Sequence, residues 1–181
     1  MIRSRRRFQS DDEVFEDLVR TNARAVRTYA FSIASSTTVA EDAVQETFLR
    51  AWRYLDTFRG SGSREGWLLR ICRNAVYDLA ARERRSSPGT NVVRLDQPQQ
   101  GDWVASGSDD GGTAFALDVI ELVNELPLAQ REVLVLCRLL GHSYESAADI
   151  LDLPVGTVRS RLSRARRALA DSLVVGPSEV A

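Results

Sequence analysis

An all-α protein, built as two small helical domains joined by a flexible acidic linker, is what this sequence predicts. Three observations carry that expectation. Apolar residues recur at spacings of three and four through both halves of the chain. No stretch alternates with period two over a useful length. Between the halves lies a segment holding Pro88, Gly89, Pro98, Gly101, Gly107, Gly111 and Gly112, a composition that cannot bury much surface. The charge divides in the same way, although the net charge is −1. Residues 1–90 carry 16 Arg against 12 acids, residues 91–118 one Arg against five Asp, and residues 119–181 seven Arg against eight acids.

The expected boundaries are a flexible basic tail at 1–11, a first domain at 12–85, the linker at 86–113, a second domain at 114–173 and a short tail at 174–181. Each domain is near the lower size limit for an independent core, so a larger partner would help both. In the first, Phe15, Leu18, Val19, Val26, Tyr29, Ala30 and Ile33 fall on one helical face. Thr38-Val39-Ala40-Glu41 has the form of a capping box and opens a second helix. Its apolar stripe is Ala40, Val44, Phe48, Ala51, Trp52 and Leu55. Gly60-Ser61-Gly62-Ser63 breaks the chain before a third helix with Leu68, Ile71, Cys72, Ala75 and Leu79 on its inner face. In the second domain Pro127 suits the first helical position. Gly141 suits a helix stop. Ser143 caps a short helix to about Leu151, and Pro154 opens a last helix to about Leu173.

Whole classes of function are excluded early. Two cysteines and one histidine leave no room for a disulfide scaffold or most metal sites. Ser4-Arg5-Arg6-Arg7-Phe8 has the look of a twin-arginine export signal, but Asp11, Asp12, Glu13, Glu16 and Asp17 stand where its apolar region belongs. No apolar run approaches the ~18 residues of a spanning helix. The expectation is a cytoplasmic protein without membrane insertion, cofactor or catalysis. Cys72 and Cys137, on apolar faces, read as structural thiols, and His142 as a turn residue.

The last helix is the most informative segment. Arg159, Arg161, Arg164, Arg166 and Arg167 accumulate there with no acid among them. Val158, Leu162, Ala165 and Leu169 form a narrow inner stripe. The opposite face carries Thr157, Arg159, Ser160, Ser163, Arg164 and Arg167. A short helix, the turn Leu151-Asp152-Leu153 and a basic second helix fit a helix-turn-helix, whose second helix enters the major groove. Arginine forks onto guanine there. On the second helix, Asp42, Gln45, Glu46 and Leu49 lie opposite the apolar stripe, either as a docking face with an outward leucine or as a plain solvated face. On the third, Arg70, Arg73, Asn74, Tyr77 and Arg84 face away from the core. Basic residues interleaved with Asn and Tyr suit unstacked single-stranded bases, and the loop with Phe58 and Arg59 could hold an extruded base.

These residues carry a resemblance. Ala40-Glu41-Asp42-Ala43-Val44-Gln45-Glu46-Thr47-Phe48-Leu49-Arg50-Ala51-Trp52 resembles the polymerase-binding region 2.2 of bacterial sigma-70-type factors. Trp67-Leu68-Leu69-Arg70-Ile71-Cys72-Arg73-Asn74 resembles the W-L-x-x-I-A-x-N of regions 2.3–2.4. Leu126-Pro127 through Arg131 and Val133 is similar to the L-P-x-x-x-R-x-V that starts region 4. Pro154 to Arg166 matches the P-V-G-T-V-x-S-R-x-x-R-A-R of the region 4.2 recognition helix. Length and the missing region 3 resemble the extracytoplasmic-function (ECF) group. The resemblance implies an alternative sigma factor that binds core RNA polymerase and directs promoter recognition. It places Asp42, Gln45, Glu46 and Leu49 on the polymerase. Phe58, Arg59, Ser61, Ser63, Arg70, Arg73, Asn74 and Tyr77 fall on the melted −10 element. Thr157, Arg159, Ser160, Ser163, Arg164 and Arg167 fall on the −35 element. It also implies an anti-sigma factor as a partner. Ser146-Ala147-Ala148 stands where the family has E-I-A, and Ser61-Gly62-Ser63 departs from the usual loop. The competing class is an autonomous helix-turn-helix regulator, which would homodimerise on a palindromic site and need no polymerase.

Overall fold

The computed structural model describes residues 2–58, 63–86 and 123–174. The expectations for the linker, for Arg59 and Ser61, and for the C-terminal tail lie outside the described residues. Among those described, all regular structure is helical. Helix α1 spans Ile2–Ile33, α2 Thr37–Arg53 and α3 Arg64–Ser86. A 3-10 turn at Leu55–Thr57 follows α2. In the second domain α4 spans Leu128–Leu134 and runs into a π-helical turn, Val135–Leu139. Helix α5 spans Tyr144–Leu151 and α6 Val155–Val174.

The first helix begins earlier than expected. The backbone of residues 2–11, read as a tail, continues α1. No Gly or Pro occurs between Ile2 and Ile33, so nothing in the backbone stops propagation toward the N-terminus. Helix α2 also starts sooner. Ser36, not Thr38, is its cap, and its hydroxyl accepts from the Val39 amide at 3.2 Å. Such a cap is worth about 1 kcal/mol.

In the first domain α1, α2 and α3 pack on one another around Leu18, Val26, Tyr29, Ala30, Ala43, Ala51, Leu68, Leu69, Cys72 and Ala75. The buried line of α2 runs through Val39, Ala40, Ala43, Thr47 and Ala51. Trp52 is a correction. Placed in the apolar stripe by its spacing, it is 42% exposed and meets Phe15 edge-on at 5.0 Å. It lies one position past Ala51, on the rim of the buried face.

The second domain follows its punctuation closely. The Ser143 hydroxyl accepts from the Ser146 amide at 3.1 Å. Gly141 has φ +74°, a conformation that a β-carbon opposes, which is why glycine ends this turn. Asp152 turns left-handed at φ 55° between α5 and α6. Pro154 then stands just before α6, and its carbonyl accepts from the Thr157 and Val158 amides. Val158, Leu162 and Ala165 are buried, with Leu169 packed against them.

The two domains do not stand apart. Their buried apolar side chains form one continuous cluster. Helix α1 packs on α4, and α3 on α5. The size limit that argued for an outside partner is met in part by each domain serving the other.

Candidate nucleic-acid and polymerase interfaces

Three surfaces were expected, and the fold treats each differently. On α2, Asp42 and Gln45 are exposed and Leu49 is 53% exposed. Glu46 is not free in the same way. Its carboxylate accepts from Arg50 Nε at 2.7 Å, and Arg50 reaches Asp78 of α3 at 3.0 Å. That carboxylate therefore ties α2 to α3 through Arg50. The hydrogen bond that Arg50 donates to Glu46 raises the Arg50 pKa above its ordinary value. Trp52, three residues after Leu49 and 42% exposed, extends the apolar part of the face. Spacing could have found Trp52, because Gln45, Leu49 and Trp52 stand at i, i+4 and i+7.

At the start of α3, Phe58 packs on Trp67 with ring centroids 5.3 Å apart. Ser63 is a helix cap and not an open hydroxyl, since its Oγ accepts from the Gly66 amide at 2.9 Å. Along the outer side of α3, Asn74 is exposed. Its neighbours are engaged by the second domain. Arg73 Nε donates to Glu132 Oε1 at 2.7 Å, and the Glu132 side chain is 1% exposed. Tyr77 donates its hydroxyl to the same oxygen at 3.3 Å, and the Arg73 guanidinium lies over the Tyr77 ring. Arg70 donates to the Asp149 carbonyl at 2.6 Å. Polar groups of Arg70, Arg73 and Tyr77 are thus engaged by the second domain, while Arg70 and Asn74 stay exposed.

The same contact has two further anchors. Arg131 is buried and donates to the carbonyls of Ser32, Asn124 and Leu126, so it joins the end of α1 to the start of the second domain. His142, expected as a plain turn residue, bridges the domains as well. Its Nε2 lies 3.0 Å from Glu65 Oε1, and its Nδ1 lies 3.1 Å from the Ser146 hydroxyl. Burial and the Glu132 carboxylate push the Tyr77 phenol up to about 12. Tyr29, fully buried beside them, is raised well above its ordinary value by burial first and Glu132 second. For Arg73 burial pulls the pKa down, but the attraction of Glu132 outweighs it and the guanidinium ends above its ordinary value. Glu132, Arg131 and His142 were missed as contact residues. A glutamate on a helix gives no local sign that it is buried and paired.

Helix α6 presents the third surface openly. Ser163, Arg164 and Arg167 are exposed, and no acid occurs between Val155 and Ala170. Thr157 is half-buried. The Ser160 hydroxyl is occupied, donating to the Thr157 carbonyl at 3.0 Å. Arg159 lies 5.7 Å from the Tyr144 ring. Tyr144, Arg159, Leu162, Ser163, Arg166 and Arg167 line an open cleft of about 510 Å³. Arg166, left out of the expected set, joins it because it is seven residues after Arg159 and so shares its face.

A helix-turn-helix with a bare arginine face, tied to a helical domain carrying an apolar-acidic face, defines a two-domain DNA-binding protein of the transcription apparatus. Residues 18–86 match the Sigma-70 region 2 family, and residues 116–169 match the Sigma-70, region 4 family. The ECF RNA polymerase sigma factor SigC of Mycobacterium tuberculosis is 40% identical over 130 residues, covering 72% of this chain and 68% of that protein. The ECF RNA polymerase sigma factor EcfG of Rhodopseudomonas palustris is 34% identical over 158 residues, covering 86% and 82%. The sigma factor RpoE from Bartonella quintana, solved in complex with the anti-sigma factor NepR, superposes with a TM-score of 0.72 at 33% identity. That superposition covers 91% of this chain and 99% of that one, so it spans both domains together. CnrH, solved with the cytosolic domain of CnrY, gives 0.65 at 27% identity over 91% and 90%. The chain belongs to the ECF group of sigma-70-type RNA polymerase sigma factors.

Proposed function

We propose that this sigma factor docks core RNA polymerase through Asp42, Gln45, Leu49 and Trp52 on α2, captures the −10 single strand along α3, and reads the −35 duplex with α6. The observation that carries the reading is the outer face of α6, where Ser163, Arg164 and Arg167 stand exposed on a helix-turn-helix with no acid between Val155 and Ala170. A basic helix in this setting neutralises phosphates and forks onto guanine edges. On α3, Arg70, Arg73, Asn74 and Tyr77 supply cations, an amide and an aromatic plane, the set that binds unstacked bases. The chain works in the cytoplasm and catalyses nothing itself. None of its described helices is long and apolar enough to cross a membrane. An anti-sigma factor is the expected regulator, by analogy with the Bartonella quintana sigma factor solved in complex with the anti-sigma factor NepR.

Run-off transcription with core polymerase on a library of −35 sequences tests the reading. Transcripts that need both this chain and core polymerase support it. Promoter-specific binding by a homodimer of the free chain, with no gain in transcription, points instead to an autonomous regulator.

A further inference from the structure

Three glycines lie among the described residues, and the fold accounts for two of them. Gly141 has φ +74°. At Gly66 a β-carbon would stand 3.1 Å from Ser63 Oγ, the hydroxyl that caps the helix there. Gly156 has neither reason. Its φ is not positive, and a β-carbon built on it meets no atom beyond its own turn of helix within 4 Å. Yet it stands in the first turn of α6, Val155–Val174, and glycine is the poorest helix former after proline. Nothing among the described residues requires the missing side chain, and the space above it is open.

The direction of that open space is informative. Successive helical residues turn by ~100°, so Gly156, Ser160, Ser163 and Arg167 follow one line along α6 at i, i+4, i+7 and i+11. Val158 and Ala165, both buried, lie on the opposite side. Gly156, Ser163 and Arg167 are exposed, and the Ser160 hydroxyl folds back onto the Thr157 carbonyl. Arg159 and Arg164, both exposed, flank the line of Gly156 at about 60° on one side and about 80° on the other. The leading edge of α6 is therefore bare backbone at its N-terminal end, with guanidiniums standing to either side.

We infer that Gly156 is a specificity-determining residue for the −35 element, the point at which the backbone of α6 lies against base edges on the floor of the major groove. The inference rests on the reading of α6 as the −35 reader. A helix with its side chains is about 10–12 Å across and the major groove about 12 Å wide, so an entering helix has almost no clearance. In a helix-turn-helix the N-terminal residues of the second helix are the ones that meet base edges. A β-carbon at 156 would hold the backbone off by about 1.5 Å, one carbon–carbon bond. That displacement takes a ~2.9 Å hydrogen bond from a flanking arginine out of range. Glycine is the residue that lets a backbone approach a ligand this closely.

The test uses holoenzyme assembled from the full chain and core polymerase. The probe is a fluorescein-labelled duplex carrying the −35 sequence that the parent holoenzyme selects from a randomised library. Gly156→Ala should raise the melting temperature of the free chain by about 1–4 °C, because alanine is the better helix former and its methyl group meets open space. The same variant should bind the duplex roughly 5- to 100-fold more weakly, with an unchanged salt slope because no phosphate contact is lost. Gly156→Leu, another good helix former, should lose more than Gly156→Ala. Selection repeated with Gly156→Ala should change the preferred base at one or two −35 positions, since base pairs differ in what they project into the groove, the thymine methyl above all.

Three results overturn the inference. One is a Gly156→Ala chain that binds as tightly as its parent. Another is a melting temperature that falls, which places the need for glycine in the fold. The third is a loss equal for every member of the library, which places Gly156 against the sugar-phosphate backbone. Arg164→Ala separates these failures from failure of the functional reading. If Arg164→Ala weakens duplex binding and Gly156→Ala does not, the close approach alone is wrong. If Arg164→Ala, Arg167→Ala and Gly156→Ala all leave binding unchanged, or the parent holoenzyme selects no −35 sequence, α6 is not the reader and both proposals fall.

Discussion

Leu49 gives the sharpest test of polymerase docking. It is 53% exposed on α2, with Trp52 three residues on at 42%. Full burial of a leucine side chain is worth about 1.5–3 kcal/mol. Roughly half of that surface is still available to a partner, which leaves about 0.8–1.5 kcal/mol at stake in the contact. Leu49→Ala keeps the β-carbon and should weaken affinity for core polymerase roughly 4- to 12-fold, at ~1.4 kcal/mol per decade. Leu49→Arg with Gln45→Arg sets two charges into the same contact and should weaken it by roughly 100-fold or more. Neither change should disturb the fold. Alanine and arginine are good helix formers, and substitutions at exposed sites usually stay within about 0.5 kcal/mol. The assay is fluorescence anisotropy of a labelled chain titrated with core polymerase, alongside thermal unfolding. Undiminished affinity in the double variant, with unchanged helicity, refutes docking through this face.

Arg164→Ala should cut transcription roughly 5- to 100-fold and relax preference at one or two −35 positions, the scale of a lost guanine fork. Arg167→Ala should instead weaken all promoters alike and lower the salt slope by about one counterion; a −35 library transcribed at two salt concentrations separates the two, and exchanged behaviour reverses the assignment. Tyr29→Phe removes a buried hydroxyl that has no hydrogen-bond partner in this structure. It should be neutral or stabilising by up to about 1 kcal/mol, seen as a higher urea midpoint, and a loss beyond that size shows that the hydroxyl is bonded. Cys72 is raised from 9.0 to about 12 by burial, and Tyr77 from 10.0 to about 12 by burial and Glu132. Both groups keep in the folded state protons that the unfolded chain releases, so their contribution to stability is full below about pH 9 and is lost as pH rises toward 12. Urea melts across that window should show falling midpoints, and a flat profile contradicts the burial of these groups.

What the sequence disclosed follows from what a helical pattern contains. Periodicity reports which face of a helix is apolar, and punctuation reports where a helix stops. Gly141, Ser143 and Pro154 stand at or beside the junctions expected of them because each acts through its own backbone or side chain. The α6 stripe of Val158, Leu162 and Ala165 is buried for the same local reason. Legibility failed where the deciding partner is remote. Arg73 has the same spacing on α3 whether it faces DNA or Glu132, which is 59 residues away in sequence. The burial of Glu132 and Arg131 leaves no local mark because it depends on groups contributed by α1 and α3. Trp52 was misplaced because one residue along a helix is ~100° of rotation, enough to carry a bulky ring from the core to the rim.

The contact between the domains also sets stability against activity. Each domain is small, and closure adds buried apolar surface and satisfies Arg73, Arg70 and Arg131 at once. Opening forfeits those contacts, and whatever ligand needs the domains apart must offset the loss. If α3 binds single-stranded DNA as proposed above, the strand competes with Glu132 for Arg73 and Tyr77. A substitution that strengthens the α3–α5 contact should raise thermal stability and lower transcription together, the trade expected when a fold is stabilised through the groups it needs for function.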